Sequence, residues 1–287
     1  MTRVLNEQDG YPVSVICRVL EVPRSTVYYE AKPKDEQALR EAIAAIAGQF
    51  PTYGSRRVAK QLQRAPHDML VNRKRAQRIM GALGLQGQGR RRQGRTTDSA
   101  HDHPRYPNLV QGVEAAYPDH IWVADITYVQ LLLEWVYLAV IMDVYTRAIR
   151  GWQLSRSLEG ELTLTALQRA LPDHVPTIHH SDQGVQYAAT GYVGLLREHH
   201  VQISMAARGK PTENGYAERL LRTIKEEEVY LSDYRDFKEA YSQIGHFIED
   251  VYQTKRIHSA LGYLTPLEFE TAWTRSRVEQ MSSLMPD

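Results

Sequence analysis

From Ile121 onward the chain offers three strand-forming stretches in succession and then alternates helix and strand patterns, an order that leaves few folds open. Ile121 to Leu133 is apolar on both faces, and Trp135–Met142 and Ala148–Leu154 continue the run. A helical repeat follows at Leu162, Leu164, Leu167 and Leu171, then a short strand at Thr177–His180, a helix over 190–199, a strand at Val201–Met205 and two long helices near 213–230 and 235–256. Sequential strands followed by alternation predict a mixed α/β sheet covered by helices.

The part before this core has a different character. Val13, Val15, Ile16, Val19 and Leu20 have helical spacing, Glu21-Val22-Pro23 interrupts them, and Arg24 to Tyr29 resumes. That pair is compatible with a helix-turn-helix over residues 1–32. Three more helical stretches fill 33–86, marked by Leu39, Ile43, Ile46 and Ala47, by Val58 and Leu62, and by Ala76, Ile79, Met80 and Leu83. Residues 87–118, rich in Gly, Arg, Gln and Pro, read as a linker. The core is expected over 119–256, with a tail of one short helix over 257–287.

Charge sharpens this division. The 287 residues carry a formal net charge of +1. Residues 56–95 alone carry +11, so the remainder carries −10. A basic block beside an acidic one suggests a polyanion-binding part next to something else, although a solvated basic helix with a linker has the same composition. Arg90-Arg91-Arg92 could track a phosphate backbone or simply keep a connector soluble. Cys17 is the sole cysteine, which excludes a disulfide framework and a multi-cysteine zinc site. No apolar leader opens the chain, and Trp135–Met142 is far short of the ~20 residues that span a bilayer. A cytoplasmic, nucleoid-associated protein is expected.

Three acids stand out. Asp125 interrupts an otherwise apolar strand, and Asp forms strands poorly. A local rule broken inside a strong element often marks a site, but nearby hydroxyls such as Thr127 could equally satisfy it. Asp182 ends a strand before the Gln183-Gly184 turn, where α/β sheets bind ligands, and where ordinary turns also place Asp. Glu218 lies on a helix whose apolar arc holds Tyr216, Ala217, Leu220, Leu221 and Ile224, with Arg222 and Lys225 on its own side; a plain i, i+4 ion pair would look the same. Taken together, two strand carboxylates and one helix carboxylate can hold hard cations such as Mg²⁺. Paired ions ~3.5–4 Å apart serve phosphoryl transfer, and the basic block supplies a reason for a polyanion to bind. His179 and His180 alternate across their strand, so at least one is structural. Thr212 is a candidate N-cap, and Thr265-Pro266-Leu267-Glu268 reads as a capping box opening a helix through about Thr274.

With these motifs in order, the sequence resembles the DDE transposases of retroviral-integrase type, specifically the OrfB proteins of the bacterial insertion-sequence family three. Trp122-x-x-Asp125-Ile126-Thr127-Tyr128, His180-Ser181-Asp182-Gln183-Gly184-x-Gln186-Tyr187 and Asn214-Gly215-x-Ala217-Glu218 resemble the three catalytic motifs, with 35 residues between Asp182 and Glu218. Lys225 matches the family's basic position on the same helix. Tyr53-Gly54-Ser55-Arg56-Arg57 and Val71-Asn72-x-Lys74-Arg75 resemble its basic helical module, and Lys255-Arg256-x-His258 its carboxyl-terminal signature. Where the family often has Asp-Asn, this chain has Glu213-Asn214, which makes Glu213 a rival carboxylate.

The resemblance implies an RNase H-like core, Asp125, Asp182 and Glu218 as ligands of two Mg²⁺ or Mn²⁺ ions, and DNA cleavage followed by strand transfer at insertion-sequence ends. It also implies at least a dimer on DNA, and a partner in the product of the upstream reading frame. Expected DNA contacts are Arg222, Lys225, Arg56, Arg57, Lys74, Arg75, Arg90, Arg91, Arg92, Lys255 and Arg256. The alternatives are a non-catalytic DNA-binding regulator of the element and a hydrolytic nuclease on the same core.

Overall fold

The computed structural model describes residues 12–28, 36–85, 105–207 and 210–283. The chain divides into two compact units at Ala42. In the first, helix α1 (Val13–Val19) buries Ile16 and Cys17 and is followed by the short helix α2 (Arg24–Tyr28), as the broken apolar spacing predicts. Helix α3 spans Gln37–Gln49.

The second unit contains a helical module and the sheet. Helices α4 (Ser55–Gln61) and α5 (Arg73–Ala82) bury Val58, Ala59, Ala76, Ile79 and Met80. Asn72 caps α5, its side chain accepting from the Arg75 N–H at 3.1 Å, which satisfies one of the amides left open at a helix start. Leu83, expected in this core, lies beyond α5 and is partly exposed.

Five strands form one sheet, β1 (Ile121–Gln130), β2 (Trp135–Asp143), β3 (Ile149–Ser155), β4 (Ile178–Ser181) and β5 (Gln202–Met205). Their order is β3-β2-β1-β4-β5, with β1, β2 and β3 antiparallel and β4 and β5 parallel to β1 and to each other. This is the mixed α/β sheet expected from the run of three strands followed by alternation, and its order is that of the RNase H-like core implied by the resemblance. Helices α6 (Gly160–Ala170), α7 (Val185–Ala188) and α8 (Thr190–Glu198) form an apolar cluster with one face, around Trp122, Ala124, Ile141, Leu162, Leu167 and Leu196. Helices α9 (Gly215–Glu227) and α10 (Phe237–His246) cluster with the other, around Val123, Val140, Leu220, Ile224 and Ile244.

Period 2 explains both clusters, because alternate residues of β1 face opposite layers. Close approach matters at Gly151, where a Cβ would stand 2.2 Å from the Ala166 carbonyl oxygen; only glycine lets α6 lie this near β3.

Several boundaries differ from expectation. A 3₁₀ turn, Pro211–Asn214, precedes α9, so Thr212 lies inside that turn and does not cap the helix. The helix expected to run to 256 ends at His246 and continues as a π-helical turn, Phe247–Tyr252. The capping box at Thr265 forms, with Glu268 N–H donating to Thr265 Oγ1 (3.2 Å) and Thr265 N–H to Glu268 Oε2 (2.9 Å). Its helix, α11 (Pro266–Ser283), extends well past Thr274. The expected linker is bonded to the sheet over its last part. Met205 N–H donates to the Pro107 carbonyl (3.3 Å) and Leu109 N–H to Ser204 Oγ (2.8 Å). Among the described residues no helix is long and apolar enough to cross a membrane.

Candidate active site

The sheet register brings two of the three acids together. In the parallel β1–β4 pair, Ala124 faces Ser181, so the next residues, Asp125 and Asp182, leave adjacent strands side by side, about one strand spacing (~4.8 Å) apart. Both strands contribute residues of the same parity to the face covered by α9, and Glu218 stands exposed in the first turn of that helix. Burial, then the negative charge of Asp182 and then that of Glu218, push the Asp125 carboxyl up to about 7, while the Ile126 N–H and the Lys225 ammonium oppose the shift. The three acids and Lys225 therefore share one electrostatic neighbourhood. Lys225 is half-buried, and burial holds its ammonium below the ordinary range against the pull of Asp125. Arg222, on the same helix, is exposed.

Each acid is held locally. Asp125 Oδ1 accepts from Ile126 N–H (2.8 Å), and Asp182 Oδ1 from Gly184 N–H (2.9 Å). A Cβ on Gly184 would stand 3.0 Å from that same carboxylate oxygen and 3.4 Å from Tyr187 Cδ2, so glycine lets Asp182 and Tyr187 crowd one turn. Thr127, the alternative hydroxyl partner for Asp125, is buried one residue beyond Ile126, on the same face of the strand as Asp125.

Both histidines are buried. His179 meets the Tyr192 hydroxyl at 2.9 Å, and burial together with the neighbouring His180 lowers it to about 3, so it stays neutral. His180 Nε2 lies 3.2 Å from the Glu213 carbonyl oxygen and Nδ1 2.8 Å from Ser204 Oγ. A carbonyl only accepts, so Nε2 carries the proton and Nδ1 accepts from Ser204. Glu213 is not part of the acid group. Its Oε2 accepts from Ala207 N–H and from Asn108 Nδ2, both at 2.8 Å, and these bonds lower its pKa. It closes the loop after β5.

The side chain of Asn214, in the 3₁₀ turn before α9, is buried and donates through Nδ2 to the Ala124 carbonyl at 3.0 Å. Asn214 Oδ1 and the buried Tyr187 hydroxyl have no hydrogen-bond partner among the described residues. Asp125 and Asp182 both push the Tyr187 phenol up, in addition to the effect of its burial. Sequence motifs contain Asn214 and Tyr187 but assign neither a role; the available signal is a polar side chain a few residues from an acid, Asn214 four before Glu218 and Tyr187 five after Asp182.

The expected DNA contacts sort into two groups. Arg56, Lys74 and Lys255 are exposed and Arg75 is half-buried; Arg90, Arg91 and Arg92 lie outside the described residues. Arg57 and Arg256 are placed otherwise. Arg256 is 3% exposed and forms a two-pronged ion pair with Glu227 of α9, 2.7 Å on each prong. Arg57 Nη1 reaches the same carboxylate at 3.4 Å, over the Tyr53 ring. Arg256 is thus a structural cation, corrected from a DNA contact because Glu227 and burial already claim its guanidinium. Tyr216, expected in the buried arc, is exposed, with the Arg147 guanidinium 4.4 Å from its ring centre.

A second cluster of metal-ligating residue types joins Asp119, His174 and Glu270. The Arg150 guanidinium occupies its centre, 2.9 Å from Asp119 and 2.6 Å from Glu270. The cation that neutralises these acids is therefore the protein's own.

Residues 115–211 and 199–266 match the integrase core domain family, and residues 34–93 match an HTH-like domain. The chain is 34% identical over 279 residues to a 31 kDa protein of insertion element IS600 from Shigella sonnei, covering 93% of this chain and all of that protein. It is 32% identical to the transposase for insertion sequence element IS904 from Lactococcus lactis, over 82% of this chain and 94% of that one. Among solved structures, the HTLV-2 integrase catalytic core domain in complex with magnesium superposes with a TM-score of 0.46 at 18% identity, over 55% of this chain and 99% of that one.

Proposed function

Because the chain belongs to the integrase-core transposases of IS3-type insertion sequences, we propose that Asp125, Asp182 and Glu218 together form the centre at which it cleaves DNA and transfers strands. The observation that carries this reading is the register of β1 and β4, which sets Asp125 beside Asp182 on the face where α9 presents Glu218. As an integrase-core transposase, the protein is a polynucleotidyl transferase, and its partner is DNA.

Integrase cores depend on divalent metal, and the residues present fit one. Three carboxylates are the oxygen-rich, anionic donor set that Mg²⁺ or Mn²⁺ selects. Two buried polar atoms beside them, Tyr187 Oη and Asn214 Oδ1, await partners of the kind a hydrated ion brings. Bound there, two such ions would polarise the phosphodiester and stabilise the entering and leaving oxygens of an in-line displacement. The chain's own residues do the rest. Burial and mutual repulsion hold the carboxylates ready for cations, and Lys225 and Arg222 sit on the acids' side of α9 to hold the phosphates of the terminal DNA. Arg56, Lys74, Arg75 and Lys255 supply backbone contacts further out, with Arg90, Arg91 and Arg92 joining them from the basic segment. A dimer on DNA, assisted by the product of the upstream reading frame, would bring two ends together.

The test is Mg²⁺-dependent strand transfer on DNA bearing the element's ends. Asp182→Asn should abolish product; an unchanged rate sinks the assignment. A regulator would bind DNA equally in EDTA and never nick it. A gel shift on those ends, with and without the upstream product, separates dependence on that product from action alone.

A further inference from the structure

Two consecutive residues reach both acid-bearing strands. The Glu213 carbonyl accepts a hydrogen bond from His180 Nε2–H, two residues before Asp182, and Asn214 Nδ2 donates to the carbonyl immediately before Asp125. Glu218 follows one helical turn later. The relative placement of all three acids therefore passes through this dipeptide, and Asn214 is its buried half.

The Asn214 amide is fixed through its nitrogen, so its oxygen lies beside the peptide that joins Ala124 to Asp125. That oxygen is buried without a donor among the described residues. The Tyr187 hydroxyl is equally buried and unmatched, beside the turn that holds Asp182. A buried polar group without a partner loses its hydration with nothing in return, and such groups are few in native proteins. The first can only accept and the second can donate as well as accept, and both neighbour the Asp125–Asp182 pair.

Resting on the reading of the three acids as metal ligands, we propose that Asn214 and Tyr187 are positioning residues of that centre. Asn214 Oδ1 and the Tyr187 hydroxyl, neither of which bonds a side chain among the described residues, would each hydrogen-bond to water carried by the ion. Neither touches the reacting phosphate. Outer partners of this kind orient ligands, and losing one typically costs about 10–100-fold in metal affinity.

The experiment is Mn²⁺ binding to the full chain by calorimetry, with thermal melts in EDTA and in Mn²⁺, for wild type, Asp182→Asn, Tyr187→Phe and Asn214→Ala. Tyr187→Phe should melt in EDTA at or above the wild-type temperature, because it deletes an unmatched hydroxyl. Its Mn²⁺ dissociation constant should nevertheless rise roughly 10-fold or more, with a smaller metal-induced melting shift. Asn214→Ala should show the same weakening and lower kcat while KM for DNA is kept; should it fail to fold, Tyr187→Phe decides. Mn²⁺ affinities within twofold of wild type, with Asp182→Asn abolishing binding, would mean that structural water alone serves these atoms and would overturn the inference while leaving the acid centre intact. Wild-type Mn²⁺ binding by Asp182→Asn would instead overturn the acid-centre reading.

Discussion

At the scale of single residues, one carboxyl stands out because the fold keeps it from ionising freely. Asp125 has its pKa raised to about 7 in the folded protein by burial and by Asp182 and Glu218, against ~3.9 unfolded. The folded state therefore binds this proton more tightly, so the stability it contributes is fully present below about pH 4 and is lost as pH rises to about 7. In EDTA, Asp125→Asn should match wild type near pH 4 and exceed it at pH 8 by on the order of 1–3 kcal/mol, after allowing for solvent screening. Denaturant melts at the two pH values check this, and equal stabilities at pH 8 would contradict it. Mn²⁺ should close the gap by stabilising only the wild type, since metal competes with the proton for the same oxygens. Asp125 was legible as an anomaly because a carboxylate in an apolar strand breaks a local rule. Asp182 and Glu218 were legible as candidate partners from their places on a strand end and a helix, but the β1–β4 pairing that sets Asp182 beside Asp125 was not, since register between distant strands is a property of the fold.

Among the elements, α9 joins the parts. Its first turn presents Glu218, its apolar stripe packs on the sheet, and its last turn carries Glu227 between Arg256 and Arg57. Removing one partner of a buried pair leaves the other charge unmatched and costs about 3–5 kcal/mol. Glu227→Ala should therefore destabilise the protein by about that amount, and Arg57→Ala, on the weaker and more exposed arm, by about 1 kcal/mol or less. Urea unfolding separates the two, and equal costs would show that the Arg256 arm carries no special weight. Helical periodicity predicted the stripe of α9 correctly at Ala217, Leu220, Leu221 and Ile224 and misplaced Tyr216, because the Arg147 guanidinium from the β2–β3 turn stacks on it. Arg256 read as a surface cation for the same reason: its partner lies 29 residues away along the chain. The capping box at Thr265 was legible because both of its bonds lie within four residues.

For the whole molecule, net charge is a poor measure of what faces DNA. The basic block of residues 56–95 turns part of its charge inward. Arg57 pairs with Glu227, and Arg64 pairs with Glu268 and donates to the Tyr263 carbonyl. These bonds fasten the helical module to α9 and to the tail, so cations that composition assigns to a ligand also hold the unit together. Arg56 and Lys74 remain exposed on that module. Each phosphate contact contributes close to one unit to the slope of log affinity against log salt. Arg56→Ala and Lys74→Ala should each flatten that slope by about 1 and weaken binding similarly for element ends and unrelated duplex. Arg57→Ala should leave the slope unchanged, because a cation already neutralised by Glu227 releases no counterion from DNA. Fluorescence anisotropy across a salt series distinguishes them. A flattened slope for Arg57→Ala would mean that DNA draws this arginine away from Glu227, turning the joint between the module and α9 into part of the binding surface.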